Sequence, residues 1–142
     1  MTALSLAVCL ASLAGASSWG PYDPGAFESA QKANDVIVLQ FFDDGCPRCY
    51  DQEKILSKRF WASNRKDMAG FQIHLSRSPG LARQWRVTAP STLVLLRGNR
   101  EVGRTTGVII ESELDAFLRK GDLPEPHGKA PPRPKKRWPP RP

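Results

Sequence analysis

Two cysteines separated by two residues, in the run Cys46-Pro47-Arg48-Cys49, are the side chains of this sequence best suited to do chemistry. They follow a nearly all-apolar stretch, residues 36–42, and precede a helical pattern that begins at Pro47. A helix N-terminus stabilises a thiolate, because free backbone N–H groups and the positive end of the helix dipole lie there. We therefore predict that Cys46, at the exposed end, is the nucleophile and that Cys49, one turn further in, resolves the mixed disulfide.

The residues around the pair are expected to adjust the stability of the thiolate. Pro47 suits the first helical position, where its missing N–H costs nothing. Arg48 brings a positive charge between the two cysteines and favours the thiolate. The negative charges of Asp43 and Asp44 disfavour the thiolate, but by a smaller amount, because solvent screens them. Pro47 and Arg48 are thus the predicted tuning residues.

A zinc site and a purely structural disulfide are the alternatives for the same pair. Zinc usually takes four ligands, and beyond the pair the sequence offers only Cys9, His74 and His127, the last in a proline-rich stretch. A disulfide that closes so short a loop restricts the unfolded chain little and so stabilises little. The sequence therefore favours redox chemistry without a metal or other cofactor, and the structural disulfide stays open.

Helix and strand patterns alternate along the rest of the chain. Apolar and β-branched runs bounded by turn residues predict strands at 36–42, 71–75, 91–96 and 101–106, the last two as a hairpin. Helices are predicted at 24–33, 47–66, 79–85 and 109–120, and residues 17–25 look loop-like up to the first helix. This order indicates an α/β fold of three layers around a mixed sheet of about four strands. On the second helix, the packed face is expected to carry Tyr50, Ile55, Leu56, Phe60 and Trp61.

Residues 36–50, residues 87–92 and the hairpin from Gly98 to Gly107 together resemble the thioredoxin superfamily, over about residues 19–121. The resemblance lies in the combination of a C-x-x-C after a buried strand, a strand-opening proline, a hairpin and a closing helix. It implies a thioredoxin-like α/β/α fold in which Pro90 is cis and packs against the disulfide. It also implies that the backbone of Ala89 pairs with an extended substrate segment, so Ala89 and Pro90 would shape a substrate groove.

Two positions depart from the pattern of that family. Phe42 stands where the family has a tryptophan, and Gln40 stands where it has a buried aspartate that relays the proton of the second cysteine. Cys49 therefore has no obvious internal base. The resemblance implies thiol–disulfide exchange with protein partners by a monomer that a redox partner protein recycles, with reduction slightly favoured over oxidation. The alternative is a non-catalytic binding module of the same fold, with a structural disulfide and a basic docking tail.

The two ends of the chain differ in composition from the middle. Residues 1–16 contain a short apolar run that ends in small residues, which predicts a signal peptide before a domain at 17–121. We expect export to the periplasm or secretion, or membrane anchoring if the segment is not cleaved. The net charge of +7 comes largely from residues 122–142, a proline-rich tail expected to be disordered and to contact anionic lipid or wall polymer weakly. The charge does not indicate nucleic-acid binding, because no basic, aromatic-lined platform is visible in the domain.

Overall fold

The computed structural model describes residues 17–123. The predicted signal peptide, residues 1–16, and residues 124–142 of the predicted tail lie outside the described residues. The boundaries proposed for these segments therefore stay predictions.

A five-stranded mixed sheet forms the middle layer. Its strand order is β1-β3-β2-β4-β5. β1, β3 and β2 run parallel, whereas β4 is antiparallel to β2 and forms a hairpin with β5. The strands are β1 (Ser18–Pro21), β2 (Val36–Phe42), β3 (Met68–His74), β4 (Thr92–Arg97) and β5 (Arg100–Thr106).

Four helices and a short terminal 3₁₀ helix cover the sheet on both faces. They are α1 (Pro24–Lys32), α2 (Pro47–Ala62), α3 (Pro79–Trp85), α4 (Glu111–Arg119) and the 3₁₀ helix Lys120–Asp122. Side chains of α1 and α3 pack on one face of the sheet, and those of α2 and α4 pack on the other. The predicted three-layer α/β/α architecture is confirmed.

The central strand β2 is the best-covered element of the core. Its residues from Val36 to Phe41 are buried, and alternate side chains enter the two apolar clusters on opposite faces of the sheet. A strand covered on both faces needs a nearly continuous apolar sequence, which is why this run was identifiable. α1 likewise begins where its sequence indicates, since the Asp23 carboxylate accepts a hydrogen bond from the Ala26 N–H at 2.7 Å.

The predicted number of strands was wrong, because β1 lies in the stretch interpreted as a loop. Its four residues pair in parallel with β3 in the register Ser18↔Ala69 to Pro21↔Gln72. An edge strand this short carries too few residues for an alternating pattern, and proline is tolerated at its end. Trp19 anchors it by packing against Phe60 of α2, with ring centroids 5.1 Å apart.

The C-terminal end of α2 and the set of residues on its buried face also differ from the prediction. The helix ends at Ala62 rather than Lys66, and its buried residues are Cys49, Gln52, Leu56 and Phe60. Tyr50 and Trp61 were expected on the packed face, but they are 52% and 81% exposed. Each follows a buried residue directly, and one residue turns a helical side chain by about 100°, away from the sheet. Within residues 17–123, no helix combines the length and the hydropathy needed to cross a bilayer.

We predict that Gly70→Ala lowers the free energy of unfolding by about 2 kcal/mol through overpacking. A Cβ at Gly70 would lie 2.1 Å from Cε3 of Trp19 and 3.1 Å from Cζ of Phe60, so β1 and α2 would have to shift. Urea denaturation measures the change. Gly80→Ala is the matched control, because a Cβ there meets nothing within 4 Å and alanine is favoured in a helix. Equal stabilities of the two variants would contradict the packing of β1 described here.

Candidate active site

The two cysteines lie at the N-terminus of α2, immediately after the central strand. The chain leaves β2 through Asp43, Asp44 and Gly45, and Gly45 has a φ of +68° that glycine adopts without strain. Cys46 is the N-cap of α2, and its sulfur accepts a hydrogen bond from the Cys49 N–H at 3.3 Å. The first helical turn therefore directs a backbone donor at the sulfur predicted to be the nucleophile.

Cys46 and Cys49 form a disulfide, with their Cα atoms 5.3 Å apart. Cys46 is partly exposed, whereas Cys49 is only 3% exposed. An incoming thiol or thiolate can thus approach the sulfur of Cys46, the outer cysteine. The sulfur of Cys49, the inner cysteine, is shielded from it. This asymmetry fits the predicted division of roles, in which the outer cysteine attacks and the inner one resolves.

Arg48 lies at the surface between the two cysteines, and Pro47 occupies the first position of α2. The Arg48 guanidinium donates from Nη1 to the carbonyl oxygen of Gly107, at 3.1 Å. This contact holds the cation beside the helix N-terminus and joins α2 to the loop that follows β5. Gly107 has a φ of +75°, and a Cβ there would lie 3.2 Å from Nη1, so glycine suits both the turn and the contact.

Asp43 anchors the turn before Cys46 to the end of β3. Its Oδ1 atom accepts hydrogen bonds from the Ser76 N–H at 3.0 Å and from the Ser76 hydroxyl at 2.8 Å. The backbone N–H of Ser76 is the main cause that holds the pKa of Asp43 below its ordinary value, and burial of the carboxyl opposes this. The sequence predicted that Asp43 opposes the thiolate only by a small, solvent-screened amount, and in the structure its carboxylate is engaged by donors of the turn that follows β3.

His74, at the end of β3, lies between Asp43 and Asp44. Its Nδ1 atom is 3.3 Å from the Ser76 hydroxyl and 3.2 Å from Asp43 Oδ1. Its Nε2 atom is 3.2 Å from Asp44 Oδ2, within ion-pair distance but outside hydrogen-bond geometry. Arg77 also contacts the Asp44 carboxylate. The position of the histidine fits a structural role, because it helps to hold the turn that presents Cys46.

Gln40 lies on β2 beneath the first turn of α2 and is fully buried. Its side-chain N–H donates to the carbonyl oxygen of Cys49 at 3.1 Å, and its Oε1 accepts from the Gln72 amide at 3.3 Å. The amide therefore satisfies its own buried polar atoms and fixes the height of the helix above the sheet. It does not titrate, so it cannot take up the proton of Cys49.

Gln52, one turn after Cys49, is a site residue that sequence reasoning missed. It is fully buried, and its amide nitrogen donates to the carbonyl oxygens of Ser91 at 3.0 Å and Val108 at 2.9 Å. One side chain thus links α2 to the loop before β4 and to the loop after β5. Its place three residues after Cys49 was the available signal, since that spacing puts both on the buried face of one helix.

Ala89 and Pro90 lie in a bend before β4, and the Gln52–Ser91 hydrogen bond ties that bend to α2. The resemblance implied a cis peptide bond at Pro90, but no peptide bond within residues 17–123 is cis. The chain instead turns into β4 through Ser91, which is left-handed with a φ of 58°, and the Thr92 hydroxyl donates to the Ala89 carbonyl at 2.7 Å. A substrate groove at Ala89 and Pro90 stays a prediction.

Metal ligation has no support in the part of the chain that is described. No group of three or more histidine, cysteine or acidic side chains within residues 17–123 could hold a metal ion. The two cysteines are joined to each other, which leaves neither sulfur as a thiolate ligand. The arrangement is suited to dithiol–disulfide interconversion.

We predict that Arg48→Gln slows alkylation of reduced Cys46 roughly two- to fivefold at mildly acid pH, because removal of the cation lowers the thiolate fraction. Iodoacetamide alkylation followed by mass measurement gives the rate. Lys54→Gln is the control, since this exposed cation on α2 is paired with Asp51 at 3.9 Å, one turn beyond the cysteines. Equal rates for the wild type and Arg48→Gln would show that Arg48 has no tuning role.

We also predict that Asp43→Asn destabilises the fold by about 1 kcal/mol at neutral pH, because the Ser76 donors would then meet a neutral amide oxygen instead of a charged carboxylate. Folding lowers the pKa of this carboxyl below 3.8, its ordinary value in an unfolded chain. The charged carboxylate therefore stabilises the protein at pH values above 3.8, and this stabilisation is lost as the pH falls from 3.8 through the lower pKa of the folded state. The difference between wild type and variant should therefore be full above about pH 5 and shrink below pH 3.8. Urea unfolding across this range measures it, and a difference independent of pH would contradict the assignment.

Comparisons with known proteins agree on one family. No family model matches the chain. Thioredoxin H2-2 of rice, Oryza sativa subsp. japonica, is 36% identical over 95 residues, which cover 60% of this chain and 64% of that protein. The match thus spans less than two thirds of the rice protein.

Two solved structures extend the comparison to the fold. Trxlp from Edwardsiella tarda is 33% identical, with a TM-score of 0.67, and the match covers 71% of this chain and 98% of that one. A variant thioredoxin from Halobacterium salinarum shares the fold at a TM-score of 0.64 and 21% identity, over 76% of this chain and 93% of its own. With the C-x-x-C pair at the N-terminus of α2 and the sheet order described above, the chain belongs to the thioredoxin superfamily.

Proposed function

We propose that this protein is a thiol–disulfide oxidoreductase that reduces disulfides of partner proteins. The observation that carries the proposal is the Cys46–Cys49 disulfide at the N-terminus of α2, with the outer sulfur partly exposed and the inner one buried. A purely structural bridge has no need of an approachable sulfur that a backbone N–H and a nearby cation both favour as thiolate. The two cysteines are the proposed catalytic residues.

In the reducing direction, the Cys46 thiolate attacks one sulfur of a substrate disulfide, and that disulfide breaks as a mixed disulfide with Cys46 forms. The other sulfur of the substrate disulfide leaves as a thiolate, while the attacked sulfur stays bonded to Cys46. Cys49 then loses its proton and attacks the Cys46 sulfur, which releases the second substrate sulfur. Two electrons have passed from the dithiol to the substrate, and the protein is left with the Cys46–Cys49 disulfide.

The proton of Cys49 must leave without help from a buried carboxylate. The polar side chain bonded to the Cys49 carbonyl is the neutral amide of Gln40, which cannot accept a proton at physiological pH. The departing substrate thiolate is the acceptor closest to the reacting sulfurs, and water is the alternative. We therefore expect resolution of the mixed disulfide to speed up as the pH rises towards the range in which a free thiol ionises.

The reducing direction and the partners belong to the proposal. The name thioredoxin of the rice relative favours a reductant. Within residues 17–123, each connection between strands contains at most one helix, so no helical domain is inserted between strands. A second dithiol protein would return the disulfide to the dithiol state, and the protein would work as a monomer. We further propose that it acts after export, with residues 1–16 as its targeting segment.

We predict that Cys46→Ser abolishes reduction of a test disulfide such as insulin, because the attacking sulfur is lost. Cys49→Ser should instead accumulate a mixed disulfide between Cys46 and the substrate, which a non-reducing gel detects and dithiothreitol removes. Cys46→Ser carried through the same trapping assay is the control. If neither variant changes insulin reduction or partner capture, the pair is structural and the binding-module alternative holds.

A further inference from the structure

The two ends of the described chain, at Ser17 and Asp122, lie at one corner of the domain, beyond the C-terminus of α2. The Ser17 N–H donates to the Arg65 carbonyl at 3.0 Å, and the Ser17 hydroxyl donates to the carbonyl of Phe60 at 2.5 Å. At the other end of the described chain, the Asp122 carboxylate pairs with the Arg65 guanidinium at 2.7 Å. Residues 1–16 and residues 124–142 therefore continue from points close to the same arginine.

At this corner the carboxylates of Asp67 and Asp122 are paired with Arg65, while one tryptophan and two lysines nearby in the sequence are exposed. Trp61 is 81% exposed, the highest value among the exposed large apolar side chains of residues 17–123. Lys58, three residues before it on the same side of α2, is exposed, and so is Lys66 just after the helix. Nothing in the thiol exchange uses these three residues, which we call the Trp61 surface. Exposed tryptophan together with exposed lysine is typical of surfaces that contact a membrane or another protein.

The segments that start at this corner have matching chemistry. Residues 4–16 are almost entirely apolar, and residues 124–142 contain six basic residues and Trp138. An anionic bilayer attracts this combination: apolar segments enter it, tryptophan prefers the headgroup level, and lysine and arginine are drawn to the lipid phosphates. An acidic protein would be drawn to the cations, but it would give no reason for the exposed indole of Trp61.

We propose that the Trp61 surface is a membrane-docking surface for anionic lipid, with the Trp61 indole at headgroup level and Lys58 and Lys66 facing lipid phosphates. The cysteine pair lies at the opposite end of α2, whose 16 residues span ~24 Å. Docking in this orientation leaves Cys46 directed away from the bilayer and open to protein substrates. The proposal does not depend on the thiol chemistry, so either one can fail while the other holds.

Flotation of the full 142-residue chain with vesicles tests the surface. Vesicles of equal parts phosphatidylcholine and phosphatidylglycerol should bind the protein well above pure phosphatidylcholine vesicles. Lys58→Gln/Lys66→Gln should weaken that binding roughly tenfold or more, and Trp61→Ser roughly threefold or more. The matched controls are Lys32→Gln/Arg83→Gln, two exposed cations on α1 and α3, and Tyr50→Ser, an exposed aromatic at the other end of α2; both should bind like wild type.

A second readout locates the indole directly. With brominated phospholipid in the anionic vesicles, Trp138→Phe should show fluorescence quenching that Trp61→Phe/Trp138→Phe lacks, because bromine quenches only nearby indoles. All variants keep residues 1–16 and the basic tail, so a difference in binding or quenching between them comes from the Trp61 surface. Equal binding to anionic and neutral vesicles would overturn the proposal. Binding that the Trp61, Lys58 and Lys66 variants leave unchanged, with equal quenching in the two proteins, would overturn it as well.

Discussion

The position of α2 above the sheet depends on one buried hydrogen bond, from the Gln40 amide to the Cys49 carbonyl. β2 is covered on both faces, and a polar side chain in its middle is costly unless each of its polar atoms has a partner. Gln40 meets that constraint with the Cys49 carbonyl on one side and the Gln72 amide on the other. The same bond sets the depth of Cys49, so the sheet determines which of the two sulfurs is exposed.

The remaining contacts of α2 extend this constraint to the loops around the cysteines. Gln52 joins the helix to the bend at Ser91 and to Val108, and Arg48 joins it to Gly107. In front of the helix, Asp43 is held by Ser76 at the end of β3. A small domain thus presents one reactive bond from a helix N-terminus that is held in place by contacts with β2, with the turn after β3 and with the loops around β4 and β5.

The sequence was informative where one local rule determined the outcome. The continuous apolar run of β2 indicated a strand covered on both faces, and Asp23 before Pro24 marked the start of α1. The cysteine spacing after that strand identified the pair. Each of these signals lies within a few residues and does not depend on what the rest of the chain does.

The features that the sequence did not reveal depend on contacts between distant segments. β1 exists because Trp19 packs on Phe60 and pairs beside Gly70, and no local pattern encodes that partner. Pro90 follows a trans bond and the chain turns at Ser91, and Gln52 gains its role only once two loops lie against α2. Trp61 looked like a core residue because hydrophobicity alone does not say which way a helical side chain points.

The equilibrium redox potential of the Cys46–Cys49 pair tests the central claim most directly. The protein would be titrated against glutathione and the pair followed by thiol alkylation and mass measurement. We expect reversible interconversion with a midpoint near −270 mV, the range of reducing thioredoxins, whereas a midpoint near −120 mV would belong to a strong oxidase and contradict the proposed direction. A pair that does not interconvert at any poise would contradict the enzyme itself.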